Sequence, residues 1–278
     1  MTTTNDFEIE YWNGVAGARW VRAQKRFDEM VQPLVRPLLT GDAVRSGMRV
    51  LDVGCGCGGS TLDLANLVGP SGSVTGIDVS RPMLGRARAR AREGGLDNVR
   101  FLEADAQTAA LPEVDLVFSR LGVMFFSDPV AGFSNLRRAL SPDGDLLAAV
   151  WADAPHNPWM TDPPAVVADV MGVAPTHPDG KGPFALSDPN EILQVLEAAG
   201  FAERRVEEHR GMVRVGNDAS DATDFSLRGI GRVSAAAQDA SPSALAAAEV
   251  ALHEHYTRLA SDSGVLADAT VLYVRARA

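Results

Sequence analysis

Residues 50–59 read Val-Leu-Asp-Val-Gly-Cys-Gly-Cys-Gly-Gly (VLDVGCGCGG). An apolar run carrying one acid, Asp52, passes through Gly54, Gly56 and Gly58. It then enters a segment with Leu62, Leu64, Ala65 and Val68 at helical spacing. The pattern predicts a buried strand, a tight turn and a helix. In doubly wound sheets such a turn lies at the carboxyl end of a strand, where ligands bind. Glycines let the backbone approach a ligand with no Cβ in the way. The free N–H groups of the following helix can hold a carboxylate, and Asp52 can accept a hydrogen bond from an ammonium group. A ligand with both groups, an amino acid, fits this arrangement.

Outward from this turn the same alternation continues. Met48 to Val53 forms the first strand, and Ser73 to Val79 a second, followed by a helix opened by Ser80 and Pro82. Val99 to Glu103 and Val114 to Phe118 are the third and fourth strands. Ser127-Asp128-Pro129 opens a helix with Val130, Phe133, Leu136 and Leu140 on one face. Pro142-Asp143-Gly144 is a turn, and Asp145 to Trp151 is a fifth strand. Strands separated by single helices predict an α/β, Rossmann-like fold with a mostly parallel sheet covered on both faces.

Beyond Trp151 the pattern changes to a proline-rich, weakly periodic stretch at 152–187. A helix from Ser187-Asp188-Pro189 to Gly200 and a strand from Phe201 to Val215 follow. Leu245, Ala248, Leu252, Tyr256 and Leu259 then mark an amphipathic helix, and Leu266 to Ala276 a last strand. Before the sheet, Trp20, Phe27 and Val31 share a helical face, with Pro33 expected to break that helix. The chain thus divides into an N-terminal helical cover, 1–45, and an α/β domain, 46–278. Lid insertions are expected at about 152–187 and 216–264.

Two further acids end strands. Asp78, in GIDVS, would reach a ribose, since one carboxylate can take both ribose hydroxyls. Asp105, in FLEADA, would face an adenine ring. Amino acid, ribose and adenine together make up S-adenosylmethionine. The chain resembles the class I S-adenosylmethionine-dependent methyltransferases, in the small-molecule branch that includes the ubiquinone and menaquinone C-methyltransferases. The matching pieces are VLDVGCGCG (50–58), GIDVS (76–80), FLEADAQTAALP (101–112), DLVFSRLGVMFFSDP (115–129), LRRALSPDG (136–144) and LEAAGF (196–201). EYWNGVAGARWVRAQKRFD, near the start, resembles that branch's N-terminal cover. The resemblance implies a seven-stranded sheet of order 3-2-1-4-5-7-6 with the last strand antiparallel. It also implies cofactor roles for Asp52, Gly54, Gly56, Asp78 and Asp105. The full expected cofactor-binding set adds Trp20, Cys55, Val79, Met83, Ala106, Ser119 and Leu121.

Plainer readings exist for each residue. The glycines could form a bare turn, Asp52 or Asp78 could cap a helix, and aspartate is common at strand ends. An NAD-dependent dehydrogenase shares the strand, glycine turn and acid. However, Asp52, two residues before the first glycine, would repel a pyrophosphate and suits an ammonium group. A non-catalytic protein that binds S-adenosylmethionine is the alternative from a different class.

The 278 residues are 46% hydrophobic and 22% charged, with a net charge of −10. An acidic surface disfavours nucleic acid. Arg86, Arg88, Arg90 and Arg92 alternate around a helix and read as solvated surface. After the fourth strand stands Ser119-Arg120-Leu121-Gly122, not the Asn/Asp-Pro-Pro-aromatic signature of adenine methylation. No signal peptide or membrane span is expected, which points to the cytoplasm. Cys55 and Cys57 share one turn, so neither a disulfide framework nor a metal site is expected. The expected partner is a small-molecule methyl acceptor, with a homodimer left open.

Methyl transfer from a sulfonium needs alignment and a dry site more than elaborate machinery. His156, just after the fifth strand, is the candidate base, against the plainer reading of an exposed loop histidine. His253 and His255 lie two apart on a helix and face different ways. Met124, Phe125 and Trp159 are the candidate substrate wall. Tyr11, Trp12, Met160 and Phe184 are further candidates for cover or lid.

Overall fold

A computed structural model describes residues 5–40, 43–173 and 182–278. The parts of the expected cover and lid at 1–4, 41–42 and 174–181 lie outside the described residues. Five strands run in parallel: β1 (Arg49–Val53), β2 (Ser73–Asp78), β3 (Val99–Glu103), β4 (Val114–Arg120) and β5 (Leu140–Trp151). Two long strands follow: β8 (Gly264–Arg277) adds antiparallel to β5, and β6 (Ala202–Gly216) pairs antiparallel to β8 on its other side. The sheet order is β3-β2-β1-β4-β5-β8-β6, with a two-residue β7 (Ala260–Ser261) paired to β8. Leaving out that short piece, this is the expected 3-2-1-4-5-7-6 order.

The central strands are buried because helices cover both faces. Leu51, Leu116, Val117, Ala148, Ala149 and Val150 are all inaccessible to solvent. The connecting helices are α3 (Gly59–Val68), α4 (Arg81–Glu93), α5 (Pro129–Ala139) and α8 (Pro189–Ala198). The open edge, β6, carries Glu203, Arg204, Arg205, Glu207, Glu208 and Arg210, a charged edge that discourages pairing with other chains. No helix among the described residues is long and apolar enough to cross a membrane.

The remaining helices gather over the carboxyl ends of the parallel strands. They are α1 (Asp6–Asn13) and α2 (Val15–Val35); α6 (Pro158–Val166) and α7 (Ala168–Met171); and α9 (Ala219–Arg228), α10 (Arg232–Ala236) and α11 (Pro242–Leu259). Helix α2 also packs on β6, where Tyr273 of β8 donates to the Leu34 carbonyl at 2.5 Å.

Three expectations need correction. Pro33 does not break α2, which runs on to Val35 before a single 3-10 turn at 36–39. The proline falls in the last turn, where its missing N–H removes one hydrogen bond and little helix remains to be lost. Strand β5 begins at Leu140, not Asp145. The Pro142-Asp143-Gly144 turn survives as an irregularity inside the strand, with Asp143 at φ 62° and a register shift opposite Val114 and Leu116. Finally, Arg90 is not a solvated surface residue, for reasons given next.

Candidate active site

One cavity of about 460 Å³ opens over the carboxyl ends of β1 to β5. Its floor is the glycine turn. Gly54 (φ 67°), Gly56 (φ 54°) and Gly58 (φ 80°) all adopt the left-handed region. A Cβ on Gly54 would sit 2.7 Å from the Cα of Gly122, so the turns after β1 and β4 touch backbone to backbone. Ser119, fully buried, ties them further: its Oγ donates to the Val53 carbonyl (2.9 Å) and accepts from the Gly122 and Val123 N–H groups. Between them Leu121 is held at φ 62°, a costly conformation for leucine, with its N–H bonded to the Ala149 carbonyl at 2.9 Å.

Asp78 lies on the cavity wall. One carboxylate oxygen accepts from the Gly56 N–H and the other from the Ser80 N–H, both at 2.8 Å. Burial raises its pKa against the pull of these backbone bonds. Each oxygen retains lone-pair capacity for ribose hydroxyls. The expected helix cap is not there: Ser80 makes no side-chain cap and its Oγ donates instead to the Trp12 carbonyl at 2.7 Å. Asp105 also lines the cavity, with one oxygen accepting from the Gln107 N–H at 2.9 Å, as do Val79, Met83 and Ala106.

Asp52 is placed differently. It is fully buried beneath the turn and does not line the cavity. Its Oδ2 accepts from Ser60 (2.8 Å) and Thr61 (2.6 Å), fastening the start of α3, while Oδ1 finds no partner among the described residues. Burial pushes its pKa up to about 6. Cys55 and Cys57 are free and buried. Burial raises both thiols, Cys57 to about 12, so neither is a thiolate at neutral pH.

Helices α1 and α2 form the roof. Asn13 donates to the Val79 carbonyl (2.8 Å) and accepts from the Arg81 N–H (3.0 Å), placing the roof directly over the end of β2. Tyr11, Trp12 and Trp20 line the cavity, and Trp12 meets both Trp20 and Phe125 edge-on, so these rings both cover the site and pin the helices. Deeper in α2, Asp28 binds Arg120 at 2.7 Å and Arg90 at 3.1 Å, and Gln24 donates to it at 2.6 Å. Burial opposes its charge most strongly, but Arg120, Gln24 and Arg90 together outweigh it and hold the carboxyl below the usual carboxylate range. Arg90 also donates to the Cys57 carbonyl at 2.8 Å, which makes it a strut of the glycine turn. A Cβ on Gly59 would lie 2.6 Å from Arg120 and 2.7 Å from Asp28, so the ion pair rests on bare backbone at the start of α3.

Beyond β4 and β5 the walls turn apolar. Met124, Phe125, Phe126, Trp151, Trp159, Met160, Phe184 and Phe225 line this end. His156 does not reach it. It is exposed, does not line the cavity and pairs with Asp153 three residues earlier. The sequence reading missed Asp28, Arg120, Ser226 and Phe225. Arg120 alone gave a signal, as a cation ending an otherwise buried strand.

The residues fit the expected ligand. Bare glycine backbone, an open-faced carboxylate at Asp78 and a second acid at Asp105 occur in that order along the sheet edge, under an aromatic roof. A model of the methyltransferase domain matches residues 44–200. The nocamycin O-methyltransferase of Saccharothrix syringae is 35% identical over 190 residues, 64% of this chain and 67% of its own. A ubiquinone/menaquinone biosynthesis C-methyltransferase of Shewanella frigidimarina is 32% identical over 117 residues, 41% of this chain and 47% of its own. The chain therefore spans about half to two thirds of these relatives. Among solved structures, phosphoethanolamine N-methyltransferase 2 of Haemonchus contortus in complex with S-adenosyl-L-methionine superposes with a TM-score of 0.59. It is 18% identical, over 99% of this chain and 60% of that one, a likeness of fold.

Proposed function

From the premise that the chain belongs to the methyltransferase-domain family and depends on S-adenosylmethionine, we propose that it methylates a small, apolar or aromatic molecule. The observation that carries this is the continuity of the cavity: one wall holds Asp105, Asp78 and the glycine turn, and the same space runs on into the apolar end past β5. When bound, the cofactor supplies an activated methyl group, released as S-adenosylhomocysteine is formed.

The chain's own residues bind, align and keep dry. Asp78 takes the ribose hydroxyls, and Asp105, Val79, Met83 and Ala106 hold the adenine end. Gly54, Cys55, Gly56 and Leu121 present backbone to the amino-acid end. Asp52 and Ser119 act from below, shaping the turn, and Trp20 closes the space from above. Met124, Phe125 and Trp159 face the acceptor and exclude water, which strengthens polar interactions inside. Alignment of this kind supplies up to roughly 7–11 kcal/mol of barrier lowering. The described residues of 1–45 serve as cover, and those of 152–187, with 216–264, as the lid of the acceptor end.

Isothermal titration tests the donor assignment. S-adenosylhomocysteine should bind, with NAD much weaker; tighter binding of NAD would overturn it. Transfer of labelled methyl to any small acceptor separates the enzyme from a protein that only binds the cofactor.

A further inference from the structure

The fold withdraws both groups that the sequence offered to an amino-acid ligand. Asp52, expected to take the ammonium group, is sealed beneath the glycine turn and does not line the cavity. The start of α3, expected to take the carboxylate, is covered. Arg120 and Asp28 stand where a Cβ on Gly59 would meet them, at 2.6 Å and 2.7 Å. A zwitterion carries two full charges, and taking them out of water without partners is costly.

Among the described residues two cationic side chains line the cavity, Arg120 and Arg232. Arg232 opens α10, in the segment after β6. Arg120 ends β4, directly before the Leu121-Gly122 turn that touches Gly54 backbone to backbone, so it is the cation at the glycine turn. It meets Asp28 through one terminal nitrogen, Nη2, at 2.7 Å. A guanidinium has five N–H groups in a planar fork, so donors remain for a ligand. Asp28 stays ionised under the hold of Arg120, Gln24 and Arg90, and fixes the guanidinium in place. We infer that Arg120 receives the α-carboxylate of S-adenosylmethionine, with Asp28 as the residue that positions it. The inference rests on the donor site proposed above, and moves recognition of its charged end from Asp52 and α3 to β4 and α2. Arg–carboxylate pairs are strong, charge-assisted bonds, so Arg120 selects donors that carry the carboxylate. The N-terminal cover, through Asp28, then takes part in donor recognition as well as in roofing.

Two ligands that differ only at this group test it by calorimetry on the full chain. They are S-adenosylhomocysteine and its decarboxylated form, which keeps the amine. The first should bind at least about tenfold more tightly. Arg120→Gln should bring the ratio near one by weakening S-adenosylhomocysteine, with the decarboxylated ligand changed by less than about twofold. Arg120→Lys keeps the charge but not the fork and should retain part of the ratio. Asp28→Asn should shrink the ratio without abolishing it. Where Arg120→Gln alone fails to fold, adding Asp28→Asn leaves no lone carboxylate behind, and the ratio should again fall near one. A wild-type ratio near one would overturn the inference. So would a ratio that survives the loss of Arg120 because both ligands weaken alike, which would make the pair a brace between α2 and β4. Failure of both ligands to bind the wild-type chain would instead sink the donor site itself, and this assignment with it.

Discussion

Asp78 carries two duties at once, because the oxygens facing the cavity also accept from the Gly56 and Ser80 N–H groups. Asp78→Ala should weaken S-adenosylhomocysteine by roughly tenfold to a hundredfold, the worth of hydrogen bonds to a charged group. It should also lower the melting temperature, since both N–H groups lose their acceptor. Calorimetry and thermal melts on the same variant check both; unchanged affinity would leave Asp78 a purely structural residue. Asp52 gives a pH signature. Its folded pKa of about 6 lies above the value of ~3.9 in an unfolded chain, so the folded state binds the extra proton. Its contribution to stability is full below about pH 4 and is lost as pH rises through about 6, on the order of 3 kcal/mol. Asp52→Asn removes this titration. Relative to wild type, the variant should gain stability between pH 4 and 7, and denaturant melts across that range would show whether it does. Asp78 and Asp105 were legible because each stands at or just past the end of a strand within a short local pattern. The pairing of Arg120 with Asp28 was not, since 92 residues separate them and nothing near Asp28 marks it.

Among the elements, α2 has the least local reason to be where it is. Its position is set by Phe27, Met30, Val31 and Leu34 in the core and by Asp28 between two arginines. Asp28→Asn leaves Arg90 and Arg120 facing each other with side chains only 20% and 15% exposed. Breaking such a pair should cost about 2 kcal/mol, below the range for fully buried pairs because some solvent reaches it. Urea titration measures this directly, and a loss under about 0.5 kcal/mol would mean that the apolar face alone seats the helix. Most strands came out of the sequence to within two residues because their apolar runs are bounded by turn residues. The exceptions have physical causes. In β5 the pairing continues past a turn that the strand absorbs, and in α2 a proline sits too near the end to matter. The strand order itself followed from the resemblance; spacing does not determine it.

At the scale of the whole molecule, the proposed donor and acceptor ends share one space under the α1–α2 roof, and that roof is expected to settle when ligand binds. Amide hydrogen exchange should show residues 5–30 and 152–173 exchanging quickly without ligand and slowing when S-adenosylhomocysteine binds, while β1 and β5 stay protected throughout. Exchange unaltered by ligand would make these segments passive covering; full protection in the free protein would require another route in. The segment after β5, proposed as a lid, was the least legible region. Proline-rich segments lack periodicity, and their packing depends on partners scattered along the chain.

The walls of the cavity follow chain order. Gly54, Asp78 and Asp105 come from one unbroken stretch, and Trp159, Phe225, Ser226 and Tyr256 all come after β5. Retargeting the enzyme therefore need not disturb its donor. A chimaera that keeps the chain through Trp151 and β8, and takes the segments after β5 and β6 from a homologue, should inherit the homologue's choice of acceptor and keep its own affinity for S-adenosylhomocysteine. The turn at Met124 and Phe125 is the exception, an apolar contribution from the donor stretch that any such graft must still fit.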